Sequence, residues 1–377
     1  MMSTYDGKLK GTADERLANI VERFEDHLVA DPNLSFQMSA YVDGRLVLDV
    51  YGGPDMAPDS LTVPYSTSKN TAGLVIGLLV QRGLLDLDAP VAEWWPEFAA
   101  HGKAHVTGRQ LFSHQAGLPD TDPNLSWEEL LDNHRGAERL AGSRPYWRPG
   151  SAFGYHAITI GNLVDAAVQR TDGRTIHEFY EAELRRPTRA DFYLGLPREL
   201  DDRLVPLQPI IPPLGERPAP QGHFPLRDAA FGTRPGAHVD LAGSEESYRF
   251  GHPAGSATTT ARGVATLLAG AVTGLDGAAA ILDADTVSII GEQQVRGFDE
   301  VLGQQDRAHS IIFQKPSQQL AFGSARSFGH DGAMGALGCV DPITGVAFGY
   351  TIVRGPWPGG ADPRAVRAAR EIGEACL

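Results

Sequence analysis

The stretch of sequence that decides the fold is VPYSTSKNTAGLVIGLLVQRGLLDLDAPV, residues 63–91. It places Ser66 three residues before Lys69, and the apolar run that follows predicts a helix extending to about Arg82 and stopping at Gly83. Because residues three apart share one face of a helix, we expect Ser66 and Lys69 to be neighbours. A lysine with a pKa lowered by a desolvated cleft can take the proton of a serine hydroxyl, so the spacing predicts a nucleophile.

An SxxK spacing on its own also fits an exposed helix start, with Ser66 as its N-cap and Lys69 in solvent. Four further segments favour the nucleophile. They are VTGRQLFSHQAGLP (106–119), WRPGSAFGYHAITIGNLV (147–164), PAGSATTTARGVATLL (253–268) and FGHDGAMGALGCVDPITGVAFGY (328–350). Together, and in this order, they resemble the serine β-lactamase and penicillin-binding-protein family. The resemblance is nearest to its esterase branch, the family VIII carboxylesterases and class C β-lactamase-like proteins.

This resemblance implies the α/β (α+β) fold of that family. An antiparallel sheet assembled from both termini and flanked by helices would form one lobe, and a mostly helical region the other. We expect residues 1–62 and 255–377 to form the sheet domain and residues 63–254 the helical domain. Within the helical domain, the Pro-rich segment at about 200–251 predicts a long loop or a lid over a cleft.

Local patterns agree with this layout. Asp43-Gly44 between two alternating runs predicts a β-hairpin, since these residues favour the tight turns that join antiparallel strands. Other predicted elements are a helix over 16–29, strands over 35–42 and 46–51, a helix over 260–272 ending at Gly274, short strands between 309 and 353 that include SIIF (310–313), and a final helix over 363–376.

By the same resemblance, Tyr155 in the segment GYHA (154–157) occupies the tyrosine position of the family's Y-x-N element. A tyrosine close to Lys69 can be shifted toward phenolate, accept the Ser66 proton and return it to the leaving group. The chain has Ala157 where the family often carries Asn or Ser, so it lacks the amide that commonly contacts an acylamino substrate. The alternative for Tyr155 is a half-buried core tyrosine with a satisfied hydroxyl.

The segment HDGA (330–333) matches the strand that carries K-T-G in β-lactamases and penicillin-binding proteins, and esterase-like members often show H-x-G there. The resemblance implies that the N–H groups of Ser66 and Ala333 form an oxyanion hole, with His330 and Gly332 binding substrate beside it. A neutral histidine anchors a substrate carboxylate less well than a lysine does. The alternative for His330 is a structural histidine at a strand edge.

Other aromatic and histidine residues are weaker candidates. Trp147 and Trp357 flank the predicted cleft and are candidates for lining an acyl pocket, although most aromatic side chains belong to the core. His114 has no serine or cysteine motif beside it, so we interpret it as a satisfied buried or loop histidine. No G-x-S-x-G occurs, which excludes the nucleophile elbow of α/β-hydrolases.

Composition restricts the partners. A formal net charge of -14 argues against binding nucleic acid or an anionic membrane surface, because both need a basic face. The two cysteines, Cys339 and Cys376, form no zinc-ligand pattern, so we expect no metal site. The N-terminal residues lack the apolar run of a signal peptide and no segment is long enough to span a membrane, which favours a cytoplasmic protein.

The sequence therefore predicts a serine hydrolase that forms an acyl-enzyme on Ser66, needs no cofactor and acts on a small-molecule ester or other acyl substrate. A carboxylesterase is the leading hypothesis, because Ala157 and His330 both replace features suited to β-lactams and D-Ala-D-Ala peptides. The alternatives are an acyltransferase, a hydrolase of amides or D-amino-acid peptides, and a catalytically silent protein that binds acyl compounds. The sequence leaves the oligomeric state open.

Overall fold

The computed structural model describes residues 1–216, 225–231 and 242–376. Its strands are β1 (Met2–Asp6), β2 (Leu9–Asp14), β3 (Phe36–Val42), β4 (Arg45–Gly52), β5 (Phe192–Tyr193), β6 (Thr258–Thr259), β7 (Val295–Asp299), β8 (Gln304–His309), β9 (Phe328–Asp331), β10 (Leu337–Asp341) and β11 (Val346–Ile352). Seven of them form one antiparallel sheet in the order β1-β2-β4-β3-β11-β10-β9. Strand β3 pairs directly with β11, so both ends of the chain build the centre of the sheet, as predicted.

Helices occupy most of the chain between the two strand-rich ends. The α-helices are α1 (Ala18–Ala30), α2 (Lys69–Gln81), α3 (Gly108–Phe112), α4 (Trp127–Leu130), α5 (Arg135–Gly142), α6 (Thr159–Thr171), α7 (Ile176–Tyr180), α8 (Arg186–Thr188), α9 (Pro225–Phe231), α10 (Glu245–Phe250), α11 (Ala261–Leu268), α12 (Ala284–Gly291) and α13 (Pro363–Cys376). Short 3-10 segments include Glu15–Leu17, Tyr65–Ser68 and Arg198–Arg203, and π-helical turns cover Glu181–Arg185 and Ala269–Thr273. Within the described ranges, no helix has the length and apolar character needed to cross a bilayer.

The predicted hairpin is confirmed in detail. Asp43 and Gly44 both have positive φ, 47° and 73°, and the register pairs Val42 with Arg45 across the turn. Positive φ at both central residues is the geometry that matches the twist of the flanking strands. Every residue of β3 is buried, which places this strand in the interior of the sheet.

The first two strands of the sheet, β1 at its edge and β2 beside it, were not predicted. No side chain of β1 is fully buried, because the strand lies at the sheet edge. Its sequence therefore lacks the alternation of apolar and polar residues by which a half-buried strand is recognised.

Two sequence predictions need correction. The segment SIIF (310–313) is a bend and not a strand, since Ile312 has a φ of +68° and β8 has already ended. Its apolar character reflects burial against α2 and its neighbours rather than extended pairing. The Pro-rich segment, predicted as a long loop or a lid, is not a continuous loop, because it contains helices α9 and α10. Its residues 217–224 and 232–241 lie outside the described part of the chain, and its role as a lid stays a prediction.

Two apolar cores cover the two faces of the sheet. Helices α1 and α13 pack on one face over a core that includes Phe24, Phe36 and Tyr350. The other core extends from the sheet into the helical region and encloses α2, in which all residues from Lys69 to Leu79 are buried. A helix that is apolar all round belongs in the interior, which is where α2 lies. The boundaries of the two predicted domains stay a prediction.

Close packing around α2 depends on glycine, which gives a first test. A Cβ at Gly73 would lie 2.3 Å from Cζ of Phe313, far inside contact distance. We therefore expect Gly73→Ala to lower the free energy of unfolding by about 1–3 kcal/mol, measured as a lower midpoint of urea unfolding.

Gly77→Ala is the matched control on the same helix. Its Cβ would lie 3.1 Å from Cδ1 of Ile290, the flexible end of a side chain. Alanine also gains ~1 kcal/mol in helix propensity over glycine, so we expect this variant to unfold within ~1 kcal/mol of wild type. Equal midpoints for the two variants would contradict the packing described for α2.

Candidate active site

Ser66 lies where the short 3-10 turn Tyr65–Ser68 leads into the buried helix α2. The preceding Tyr65 has a φ of +49°, so the chain turns sharply just before the serine. Ser66 is the only residue between Ser60 and Leu79 that is not buried. A half-buried serine at the start of an otherwise buried helix can be reached by a substrate, while the residues on either side of it are enclosed.

The neighbour of Ser66 is Lys69, as the spacing predicted. The Lys69 Nζ lies 3.3 Å from Ser66 Oγ and donates to the carbonyl oxygens of Ala157 at 2.6 Å and Ala254 at 2.7 Å. The side chain has no exposed surface. Burial holds the pKa of this amine well below its ordinary value of 10.5, and the more distant Asp331 charge opposes the shift only in part.

These contacts fit an uncharged amine. A neutral amine has two N–H bonds and one lone pair. If the two N–H bonds point to the carbonyls of Ala157 and Ala254, the lone pair is left for the Ser66 hydroxyl. The exposed, solvated Lys69 that a chance SxxK would give is excluded by this geometry.

Tyr155 is brought to the same place and is fully enclosed. Its hydroxyl lies near the Ser66 side chain, and Lys69 Nζ lies 4.8 Å from the centre of its ring. Burial raises the pKa of the phenol, and the nearby Ser66 hydroxyl offsets this only partly. Because desolvation disfavours the anion, the surroundings of Tyr155 favour a neutral phenol, and the expectation that Lys69 shifts it toward phenolate stays a prediction.

His330 also reaches the site, on strand β9, but its ring is fully buried. Its Nδ1 lies 2.8 Å from the carbonyl oxygen of Asp331, and its Nε2 lies 3.5 Å from the Tyr155 hydroxyl. If Nδ1 donates to that carbonyl, Nε2 carries the lone pair and accepts from Tyr155. This placement makes His330 a partner of Tyr155 rather than a side chain that faces substrate.

The turn after β9 packs against the start of the Ser66 turn. A Cβ on Gly332 would lie 2.2 Å from the carbonyl oxygen of Pro64, so only glycine permits this approach. Among the described residues, neither the Ser66 N–H nor the Ala333 N–H donates to a backbone carbonyl. Both amides are thus available for a ligand oxygen near the serine.

The two predicted pocket tryptophans differ in their surroundings. Trp147 belongs to an apolar cluster with Tyr155 and Val301, and its indole N–H donates to the Ala152 carbonyl at 3.1 Å. Trp357 is half-buried in a segment that packs on the turn carrying Ala333. The structure therefore puts Trp147 beside Tyr155, and the segment that carries Trp357 beside the turn that carries Ala333.

The sequence prediction missed the groups that hold the Tyr155 segment. His114 Nδ1 accepts the N–H of His156 at 3.2 Å, and His156 Nε2 accepts the N–H of Leu118 at 2.9 Å. His114 Nε2 is buried with no hydrogen-bond partner among the described residues, so the prediction of a satisfied histidine is wrong for this nitrogen. The adjacency of His156 to Tyr155 was the one signal in the sequence.

A second missed group is Asp299, at the end of β7. It is fully buried and accepts the N–H of Tyr155 from the far side of the segment. Nothing in its sequence neighbourhood distinguishes it from an ordinary turn aspartate, since its partner is distant in sequence.

Comparison with known proteins agrees with this geometry. Residues 21–371 match the family model described as Beta-lactamase. The chain is 29% identical over 374 residues to the esterase/beta-lactamase LipL of Mycobacterium tuberculosis (strain ATCC 25618 / H37Rv). The aligned residues cover 92% of this chain and 84% of LipL.

Solved structures with the same architecture are also similar in sequence. EstA from Arthrobacter nitroguajacolicus Rue61a is 37% identical, with a TM-score of 0.89 and 97% of each chain covered. A family VIII carboxylesterase is 27% identical, with a TM-score of 0.85, covering 98% of this chain and all of the other. These similarities confirm the predicted fold, an antiparallel sheet with flanking helices of the β-lactamase and transpeptidase type. The chain belongs to the beta-lactamase family, and it is a serine hydrolase.

Proposed function

We propose that this protein is a carboxylesterase that works through an acyl-enzyme on Ser66. The observation that carries the proposal is the buried Lys69 amine, 3.3 Å from Ser66 Oγ with two backbone carbonyls accepting its N–H groups. The similarity to LipL, named esterase/beta-lactamase, and to a family VIII carboxylesterase supports an ester as substrate.

In the first step, Ser66 Oγ attacks the ester carbonyl carbon while its proton passes to the Lys69 lone pair. The carbonyl π electrons move to oxygen, and the N–H groups of Ser66 and Ala333 stabilise that oxyanion. As the intermediate collapses, the C–O bond to the alcohol breaks and Tyr155 gives its phenolic proton to the departing oxygen. The Lys69 ammonium formed beneath the ring stabilises the transient phenolate.

In the second step, the Tyr155 phenolate takes a proton from an incoming water, whose oxygen attacks the acyl carbon. The second tetrahedral intermediate expels Ser66, and its alkoxide regains the proton held by Lys69. The products are a carboxylic acid and an alcohol, and each protein group returns to its starting protonation state. Every step uses side chains of this chain, with the base in the first step being Lys69 and not Tyr155.

Two features favour an ester over a β-lactam or peptide. The side chain of Ala157 offers no amide to an acylamino group, and only its backbone carbonyl is used, by Lys69. His330 is buried against Tyr155 where a K-T-G lysine would supply a positive charge for a substrate carboxylate. An uncharged ester needs neither group.

Removing the nucleophile tests the proposal directly. We expect Ser66→Ala to lower kcat for p-nitrophenyl ester hydrolysis by at least about 10³-fold, since the covalent route is lost. Wild type should gain the mass of a phosphonyl group on Ser66 with an active-site phosphonate, and should cleave nitrocefin poorly. Ser151→Ala, an exposed serine outside the site, is the control. Ester turnover surviving in Ser66→Ala would overturn the proposed nucleophile, and a wild type that is neither labelled nor active would indicate a silent acyl-binding protein.

The pH dependence tests the role of Lys69. The active form is the neutral amine, so kcat/KM should be lost as pH falls through the Lys69 pKa and be present above it. Because burial lowers that pKa, hydrolysis measured by pH-stat should reach its maximum well below lysine's ordinary pKa of 10.5. Lys69→Arg should be inactive throughout, since a guanidinium stays charged. A rate that rises only near lysine's ordinary value of 10.5 would contradict a neutral Lys69.

The Gly332 contact tests the oxyanion hole. In Gly332→Ala the new methyl group would meet the Pro64 carbonyl and push the Ala333 amide away from Ser66. We expect kcat to fall by about 10²-fold, comparable to the loss of one oxyanion donor. Gly142→Ala, at a position where a Cβ meets nothing within 4 Å, should keep wild-type kinetics. Unchanged kcat in folded Gly332→Ala would remove Ala333 from the mechanism.

A further inference from the structure

Tyr155 lies in a segment without regular secondary structure, so its position depends on individual contacts. The Phe153 carbonyl accepts the N–H of Glu300 at 3.0 Å, and the Gly154 N–H donates to the His114 carbonyl at 3.0 Å. The segment is thus clamped between the β7–β8 hairpin on one side and the His114 loop on the other. A phenol that must reach Ser66 needs this backbone to be fixed.

The backbone N–H of Tyr155 itself is held by the Asp299 carboxylate. The Tyr155 N–H lies 3.1 Å from each of its two oxygens, and Oδ1 also accepts the N–H groups of Val301 at 2.9 Å and Leu302 at 2.8 Å. Asp299 has no exposed surface. A carboxylate that accepts several backbone N–H bonds is stabilised as an anion, and it ties the hairpin turn and the tyrosine backbone into one unit.

Asp299 also faces the ring that lies under Tyr155. His309 Nε2 is 3.8 Å from Asp299 Oδ2, and the His309 ring stacks on the Tyr155 ring at 6.2 Å between centres with an angle of 17°. Burial opposes ionisation of Asp299, but His309 and the backbone donors hold the pKa of the carboxyl below its ordinary value. One buried anion therefore accepts a hydrogen bond from the backbone of Tyr155 and lies beside the His309 ring, to which it makes no hydrogen bond.

We propose that Asp299 is a positioning residue for Tyr155, whose carboxylate holds the Tyr155 amide and the His309 ring so that the phenol stays at Ser66. The inference rests on the proposed function, in which Tyr155 protonates the leaving alcohol. Asp299 touches neither substrate nor the reacting atoms. Its effect is on how often the phenol occupies its reactive place.

The test compares kcat and KM for a p-nitrophenyl ester across four variants. Asp299→Ala removes all acceptors and should lower kcat about 10- to 100-fold with KM within about twofold, because misplacing a reacting group has effects of this size. Asp299→Asn keeps one oxygen that can serve the three N–H donors, so it should recover most of the rate. In a Tyr155→Phe background, Asp299→Ala should cause no further loss, because both changes remove the same contribution.

Asp341→Ala is the matched control. Asp341 is a buried carboxylate at the end of β10 that accepts the N–H groups of Ser324 and Ile343, far from Tyr155 in the hydrogen-bond network. The Asp341→Ala variant should lose thermal stability, as Asp299→Ala does, but its kcat per folded molecule should equal that of the wild type. An equal loss of kcat in Asp341→Ala would mean that general destabilisation explains the result, and would overturn the inference.

The remaining outcomes separate the two proposals. Folded Asp299→Ala with wild-type kcat, or an undiminished loss in the Tyr155→Phe background, overturns the role of Asp299 alone. Wild-type kcat in Tyr155→Phe overturns the role of Tyr155 and this inference with it. If Asp299→Ala does not fold, hydrogen exchange of the Tyr155 amide in the wild type tests whether Asp299 holds that backbone. A protected Tyr155 amide supports the clamp, and an amide that exchanges as fast as an exposed loop overturns it.

Discussion

The burial of one lysine amine is the constraint on which the site depends. Among the described residues no carboxylate lies within ion-pair distance of Lys69, and the hydrogen-bond partners of its Nζ are two carbonyls and the Ser66 hydroxyl. An amine in such surroundings is stable only without its charge. The same burial that costs stability therefore lowers the pKa of the amine, next to the one residue of its helix start that is not buried.

Keeping that amine dry requires close packing on every side of α2. Gly73 admits the Phe313 ring against the helix, and Gly332 brings the turn after β9 onto the Pro64 carbonyl. The carbonyls that accept from Lys69 come from the Tyr155 segment and from the loop before β6. The sheet, the helical region and the loops thus each contribute residues that enclose the Lys69 amine, and the site forms only where these three parts pack together.

Sequence reasoning succeeded where a feature is local. Residues close together in sequence determine each of the features that were predicted: the Ser66–Lys69 spacing, the Asp43-Gly44 turn and the final helix. It failed where the feature is a meeting of distant residues. Asp299 and Tyr155 are 144 positions apart, and no pattern in the sequence around either residue indicates that they are in contact. Strand β1 was not predicted because an edge strand needs no apolar face. SIIF was wrongly predicted as a strand because a buried bend can have the same apolar composition as a buried strand.

The pairing of β3 with β11 also sets the order in which the molecule can assemble. Phe36 pairs with Ile352, so the centre of the sheet joins residues that are far apart in sequence and that a ribosome makes at different times. Ser66 and Lys69 are translated early, but the strand that carries His330 and the turn that carries Ala333 emerge late. A nascent chain that stops before β9 therefore lacks one side of the proposed oxyanion hole, and the proposed hydrolysis must wait for these later elements and for slow, non-local closure of the sheet.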